Sequence, residues 1–177
     1  MHDDLDLARA SLLGSLLQRV GYALWQAAEC EDTLTHYVVI KLRASRGVGE
    51  AAGNELMEKA QKRTLGHLLQ ELREKGALKV GLEGRLQVLL EERNWLVHRA
   101  KREHRGVLND MSQLDKLVER LDRLAEEATN LNSLLGSELE EYVVTSGVDR
   151  QFIDVEASKL LRAWGYESGA AASDPKA

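Results

Sequence analysis

The sequence predicts an all-α protein, a helical bundle of about four to five helices running up and down, and three observations carry that prediction. Apolar residues recur three or four positions apart over long stretches, while strand-like alternation is almost absent. The only proline, Pro175, lies near the end of the chain, so no helix in the body of the protein has to stop at a proline. The chain has 177 residues, of which 44% are hydrophobic, which suffices for the core of one ordinary domain.

The first predicted helix covers about residues 4–44. Its core stripe comprises Leu5, Leu12, Leu16, Val20, Leu24, Ala27, Leu34, Val38 and Leu42. A loop follows, marked by three glycines at positions Gly47, Gly49 and Gly53. The next helix covers residues 65–75, with Thr64 either as its cap or inside a longer helix, and with Gly76 as its C-terminal stop.

A further helix is predicted over residues 82–104, ending at Gly106. Its apolar stripe comprises Leu82, Leu86, Leu89, Leu90, Leu96, Val97 and Ala100. Another helix begins near Asn109 or Asp110. Its stripe comprises Met111, Leu114, Val118, Leu121, Ala125, Ala128, Leu131 and Leu135. This stripe is either one arm of the bundle or the seam of a coiled coil.

A short final helix over residues 152–164 completes the predicted elements. Residues 1–167 are expected to form a single domain. The small-residue stretch 168–177 is expected to be a disordered tail.

Bulk composition narrows the range of functions. The net charge of −5 argues against a general nucleic-acid coat, so contact with RNA requires a local basic patch. The single cysteine, Cys30, excludes an internal disulfide and a multi-cysteine metal site, and the neighbouring Glu29 and Glu31 disfavour its thiolate. The acidic start is unlike a secretory signal, and no apolar run is long enough to cross a bilayer. We therefore expect a cytoplasmic protein without membrane contact.

Arg93 lies near the middle of the apolar stripe of the helix 82–104 when residues are placed 100° apart. A guanidinium stays charged, so burying it without a partner is costly. Glu31 lies in the stripe of the first helix and is the predicted partner. The pair is either part of a functional site or a core ion pair that fixes the register of two helices.

Asn94 and His98 are four residues apart and are therefore neighbours on one face of this helix. An imidazole beside an amide and several cations can transfer a proton next to a phosphate. The alternative is an ordinary surface histidine.

The end of the same helix is rich in cations, namely Arg99, Lys101, Arg102 and Arg105, with Glu103 as the only acid among them. These side chains form a phosphate-binding surface, or they only complement the helix dipole. Trp95 points away from the apolar stripe, which indicates that another helix, a partner subunit or a stacked base covers it.

The segment Arg93-Asn94-Trp95-Leu96-Val97-His98 resembles the signature of the HEPN superfamily, which is an arginine, a polar residue, a short spacer and a histidine. The leucine-rich stretch 86–90 before Arg93 and the stretch 64–69 are also similar to members. Members are helical bundles that often dimerise, and many are metal-independent ribonucleases that serve as toxins or antiviral effectors. The resemblance implies a homodimer with two motifs in one cleft, RNA as ligand and an antitoxin protein as a further partner.

The resemblance also implies roles for individual residues. His98 activates a ribose 2′-hydroxyl or protonates the leaving oxygen, Arg93 orients the site or stabilises phosphate charge, and Asn94 positions one of them. Glu31 resembles the acidic residue of the first helix in such folds. Some nuclease members carry a tyrosine shortly after the histidine, and this chain lacks it.

Three functions are consistent with these residues. The leading hypothesis is a metal-independent endoribonuclease of the HEPN type, the toxin or effector of a defence or toxin–antitoxin module. The second is a catalytically silent HEPN-like helical protein used for binding or structure. The third is an oligomeric structural bundle assembled through residues 108–139. The 5 histidines show no spacing typical of a metal site, so no metal ligand and no cofactor are predicted.

Overall fold

The computed structural model describes residues 2–45 and 47–165. These residues contain seven α-helices and no β-strand. In chain order these are α1 His2–Val38, α2 Glu50–Gln61, α3 Leu65–Glu74, α4 Leu82–His98, α5 Ala100–Glu103, α6 Met111–Thr145 and α7 Arg150–Ala163. A π-helical turn, Val39–Arg43, continues α1, and a 3₁₀ turn, Val107–Asn109, precedes α6. The all-α prediction is confirmed, but the predicted number of four to five helices was too low.

The extra helices have two causes. Helix α2 occupies a stretch that was predicted as a loop because of its glycines, and Gly53 lies inside it. The other residues of α2 are mostly strong helix formers, which outweigh the cost of about 1 kcal/mol for one internal glycine. Only Gly47 and Gly49, with φ of +82° and +77°, have the backbone conformation of a loop. The second cause is a break at Arg99, which separates α5 from α4.

Several predicted helix ends are confirmed. Thr64 caps α3, since its hydroxyl oxygen accepts a hydrogen bond from the backbone N–H of His67 at 3.4 Å. Gly76 follows α3 with φ of +58°. Asp110 precedes α6 and accepts from the backbone N–H of Gln113 at 3.2 Å.

The chain divides into two compact units, residues 1–139 and 140–177. The single domain predicted for residues 1–167 stays a prediction, and the predicted tail 168–177 lies outside the described residues. The first unit holds the hydrophobic core. Helices α1, α3, α4 and α6 supply most of the buried side chains, among them Tyr37, Leu72, Leu86 and Leu131.

At the positions whose side chains the structure describes, which do not include Leu5, the predicted stripes are mostly correct and are wrong at two. Val97 and Met111 are 48% and 54% exposed, although both were placed on apolar stripes. On α4, Trp95, two residues before Val97, is buried instead and is 2% exposed. The α6 stripe lies in the core of its own unit, from Leu114 to Leu135, so it is an arm of the bundle. The hypothesis of an oligomer assembled through this stripe therefore loses its basis.

Helices α1 and α6 are joined along their lengths by polar contacts. Arg19 Nη1 donates to Asp122 Oδ1 at 2.5 Å, and Thr129 Oγ1 donates to Gln26 Oε1 at 3.0 Å. Each of these contacts joins residues that are 103 positions apart in the sequence. These two helices are therefore neighbours in the fold although their contacting residues are far apart in the sequence.

The second unit contains the end of α6 and all of α7. Asp149 caps α7 by accepting from the backbone N–H of Gln151 at 2.9 Å, and Arg150 Nη1 lies 3.0 Å from Glu140 Oε1. No residue of α7 is buried. Its exposed hydrophobic side chains include Phe152, Val155, Leu160 and Leu161.

Candidate functional site

Arg93 and Glu31 meet between α4 and α1, as their positions on the two helices predict. Arg93 Nε lies 3.1 Å from Glu31 Oε1, and the two side chains are 35% and 27% exposed. Glu31 Oε1 is buried and accepts no hydrogen bond from a described residue, so the contact is an ion pair without a directed hydrogen bond. Burial raises the pKa of Glu31 above its ordinary value, and the charge of Arg93 lowers it less.

Asn94 is the second motif residue in contact with Arg93. Arg93 Nη1 donates to Asn94 Oδ1 at 3.3 Å, so one guanidinium touches both a carboxylate and an amide. Both side chains are half-buried. The ion pair and this hydrogen bond hold the guanidinium of Arg93 at the surface of the bundle rather than in its centre.

His98 stands apart from this group. It is exposed and is the last residue of α4. No hydrogen bond or ion pair joins its ring to any described residue, including Arg93, Asn94 and Glu31. The imidazole is therefore free to meet a ligand from solvent.

The backbone breaks immediately after His98. Arg99 has φ of −123° and ψ of −35°, which ends α4 and starts the short α5. The predicted basic residues therefore lie on a turn and a short second helix rather than on one long helix. Arg99, Lys101, Arg102 and Arg105 are all exposed, and none forms an ion pair with a described residue.

Glu103, the only acidic residue in this basic segment, is used within the protein. It accepts a hydrogen bond from Trp95 Nε1 at 2.7 Å. Arg120 of α6 lies over the Trp95 ring, with its guanidinium carbon 3.4 Å from the ring centroid, and His104 meets the ring edge-on at 5.8 Å. Another helix of the same chain thus covers Trp95, the first of the three predicted coverings, and a stacked base is ruled out because Trp95 is 2% exposed.

Sequence reasoning missed the residues of α6 that support this region. Arg120 donates to both carboxylate oxygens of Glu92, from Nε at 2.7 Å and from Nη2 at 2.8 Å. Arg85 of α4 makes a similar pair with Glu127, at 2.6 and 2.9 Å. Which residues of α6 face α4 depends on the register of two distant helices, and no local pattern reveals it.

Cys30 lies one residue before Glu31, on the core side of α1. It is 0% exposed, and burial together with Glu31 and Glu127 raises its pKa to about 12. A thiol in this setting is a poor nucleophile, as its acidic neighbours predict. Among the described residues, no group of three or more histidine, cysteine or acidic side chains is placed to hold a metal ion.

Comparisons with protein-family models, with curated proteins and with solved structures found no match to this chain. In the part of the chain that the structure describes, no helix has the length and apolar character needed to span a membrane. The function is therefore inferred from the residues themselves.

Proposed function

We propose that this protein is a metal-independent endoribonuclease of the HEPN type that works as a homodimer. One observation carries the proposal: an exposed histidine ends α4 directly before four exposed cations, and none of the five has an ion pair with a described residue. In a chain with a net charge of −5, such a cluster is suited to a phosphate backbone. The cluster is formed by His98, Arg99, Lys101, Arg102 and Arg105.

The proposed chemistry needs two proton transfers. One imidazole takes the proton of a ribose 2′-hydroxyl, whose oxygen attacks the adjacent phosphorus, and the bond from phosphorus to the 5′ oxygen breaks. A second, protonated imidazole gives its proton to that leaving oxygen. The products are a 2′,3′-cyclic phosphate and a free 5′-hydroxyl. Each chain supplies one His98, so two copies of the motif in one cleft provide both the base and the acid.

Arg93 and Asn94 have positioning and charge-stabilising roles in this proposal. The guanidinium of Arg93 stabilises the additional negative charge that builds up on the phosphate oxygens in the transition state. Glu31 holds Arg93 in place through the ion pair at 3.1 Å. The exposed basic residues that follow His98 bind the RNA backbone without reading its sequence.

An exposed face of α1 supports a second copy as the partner. Leu7 and Trp25 are 73% and 67% exposed and share this face with Gly14 and Gly21. A Cβ atom added at either glycine meets nothing within 4 Å. Apolar residues interspersed with glycines permit close approach of another helix, which fits a homodimer packed through α1.

The test is cleavage of total RNA by the purified protein in EDTA. Wild type is expected to give cyclic phosphate ends, and folded His98→Ala is expected to lose at least about 100-fold in rate, the contribution of one acid–base group. His36→Ala is the matched control, because His36 is also an exposed helical histidine and lies outside the motif. Cleavage that survives in His98→Ala, or that EDTA abolishes, would rule out this mechanism.

RNA binding is tested separately from cleavage. Exchanging Arg102 and Arg105 for glutamate is expected to weaken binding and to lower the salt slope for single-stranded RNA by about 1.4, as two phosphate contacts are lost. Lys62→Glu with Lys116→Glu is the matched control, since both lysines are exposed on other parts of the chain. An equal loss in both double variants would show a general charge effect rather than a site.

A cellular assay addresses the proposed role as the toxin or effector of a defence or toxin–antitoxin module. Expression of the wild type is expected to arrest growth, and an antitoxin is the partner that relieves the arrest. Expression of His98→Ala at the same level is expected to leave growth unaffected. Arrest by both proteins would separate toxicity from RNA cleavage.

A catalytically silent RNA-binding protein is the second candidate, and the contacts that Arg93 makes within the protein favour it. Arg93 is engaged by Glu31 and Asn94, and no hydrogen bond links it to His98. This candidate predicts salt-dependent RNA binding without cleavage. It also predicts that His98→Ala has no effect, while Arg93→Ala lowers stability because Glu31 is left as an unpaired, half-buried carboxylate.

A further inference from the structure

An open groove of about 600 Å³ lies between the first half of α1 and the segment that joins α4 to α6. This volume is within the range of ligand pockets, about 300–1,000 Å³. The wall of the groove is apolar and comes from three helices, with Leu13, Leu16, Leu17, Val20, Leu96 and Leu117. Leu13 and Leu17 are 43% and 59% exposed, so much of this apolar surface meets solvent.

The charged side chains of the groove are all cationic. Arg9 and Lys101 line it, and no aspartate or glutamate does. Arg9 is held across the groove, since its Nη2 donates to Asn109 Oδ1 at 3.2 Å. Neither Arg9 nor Lys101 has an ion pair with a described residue. In a chain with 29 acidic residues, a groove without any of them is complementary to an anion.

His104 adds an imidazole ring to the wall of the groove. It lines the groove, and its Nδ1 atom is buried without a hydrogen-bond partner among the described residues. The ring is held edge-on against Trp95. The Nδ1 atom itself is shielded from solvent, so His104 meets a ligand in the groove through the exposed part of its ring.

We propose that this groove binds a single-chain amphiphile that has a hydrocarbon tail and a compact anionic head, a carboxylate or a phosphate. The tail lies along the leucines of α1, and the head is held by Arg9, Lys101 and His104. Charge-assisted hydrogen bonds from Arg9 and Lys101 fix the head, while burial of the tail supplies most of the affinity. The site is distinct from the proposed ribonuclease centre, since only Lys101 belongs to both.

Calorimetric titration of the full-length protein tests the proposal. The probes are decanoate and decyl phosphate, each kept below the concentration at which micelles form. Decanol and decyltrimethylammonium have the same tail with a neutral and a cationic head. One molecule per chain is expected to bind for at least one anionic probe, about tenfold more tightly than either control. The tighter of the two anions identifies the head group.

Variants locate the bound probe. Leu17→Asp is expected to abolish binding, because it places a negative charge in the apolar wall. Leu7→Asp is the matched control, since Leu7 is 73% exposed on the same helix and does not line the groove. Arg9→Gln is expected to weaken the anion about tenfold and decanol hardly at all. His98→Ala is expected to bind as wild type does, which separates this site from RNA cleavage.

Three results would overturn the proposal. They are no binding of either anionic probe, equal affinity for the cationic probe, and equal loss of binding in Leu17→Asp and Leu7→Asp. Either of the last two results would show nonspecific adsorption of the tail.

Discussion

Replacing Trp95 with phenylalanine is expected to destabilise the protein strongly, because three separate contacts converge on the indole. Its ring is 2% exposed, it donates a hydrogen bond to Glu103 at 2.7 Å, and Arg120 lies over its face at 3.4 Å. Phenylalanine keeps a ring in the same place but removes the N–H group and part of the buried volume. The change therefore tests whether Trp95 fixes the break between α4 and α5.

The magnitude follows from these contacts. Loss of buried atoms and the remaining cavity cost about 1–1.5 kcal/mol for a change of this size. The hydrogen bond to a charged acceptor contributes about 1.5 kcal/mol, at the lower end of its range because Glu103 is exposed and can be solvated once it is released. The weaker interaction of Arg120 with a smaller ring costs about 0.5 kcal/mol. The expected loss in free energy of unfolding is about 3 kcal/mol.

Urea unfolding monitored by circular dichroism measures this loss. Trp25→Phe is the matched control, because Trp25 is 67% exposed, and its substitution is expected to cost less than about 0.5 kcal/mol. A double-mutant cycle with Glu103→Ala is expected to give a coupling of about 1–1.5 kcal/mol. A loss below about 1 kcal/mol for Trp95→Phe, or a coupling near zero, would refute the view that the Trp95–Glu103 contact holds the two helices.

Two further predictions concern ionisable groups elsewhere in the first unit. Hydrogen bonds from Arg43, at 2.7 and 3.2 Å, hold the pKa of Glu71 below its ordinary value of 4.5. The stabilisation from this pair is therefore full above pH 4.5 and is lost as the pH falls through the lowered pKa. Urea midpoints measured against pH should show Glu71→Gln about 1–2 kcal/mol less stable near neutral pH, with the difference shrinking in acid; a constant difference would contradict this reasoning. Cys30, whose pKa is raised to about 12 by burial, is expected to resist an aromatic disulfide reagent in the native protein and to react fully in denaturant. Rapid labelling of the native thiol would mean that α1 opens locally.

Positions on single helices were predictable from the sequence. The pairing of Glu31 with Arg93 follows from placing each residue within the apolar stripe of its own helix, and the contact at 3.1 Å confirms it. This reasoning needs only the constant rotation per residue of an α-helix. The end of α3 at Gly76 was predictable for a similar reason, since a glycine tolerates the positive φ there.

Contacts that depend on how distant helices align were not predictable. The pair of Arg120 with Glu92, and the position of Arg120 over Trp95, require the register of α6 against α4. Helix α2 was missed because its neighbouring glycines were given more weight than its helix-forming residues. The roles of His98 and the basic segment stay predictions, because a free histidine and exposed cations look alike in a catalytic and in a structural helix end.

The pairing of α1 with α6 has a consequence during protein synthesis. Contacts such as Arg19 with Asp122 join residues 103 positions apart, so the apolar side of the first helix leaves the ribosome long before its partner exists. At about 5–20 residues per second, the gap lasts roughly 5–20 s. During that interval the nascent first helix exposes surface that the finished protein buries. Efficient production in a cell is therefore expected to depend on a chaperone that holds this segment until α6 has been translated.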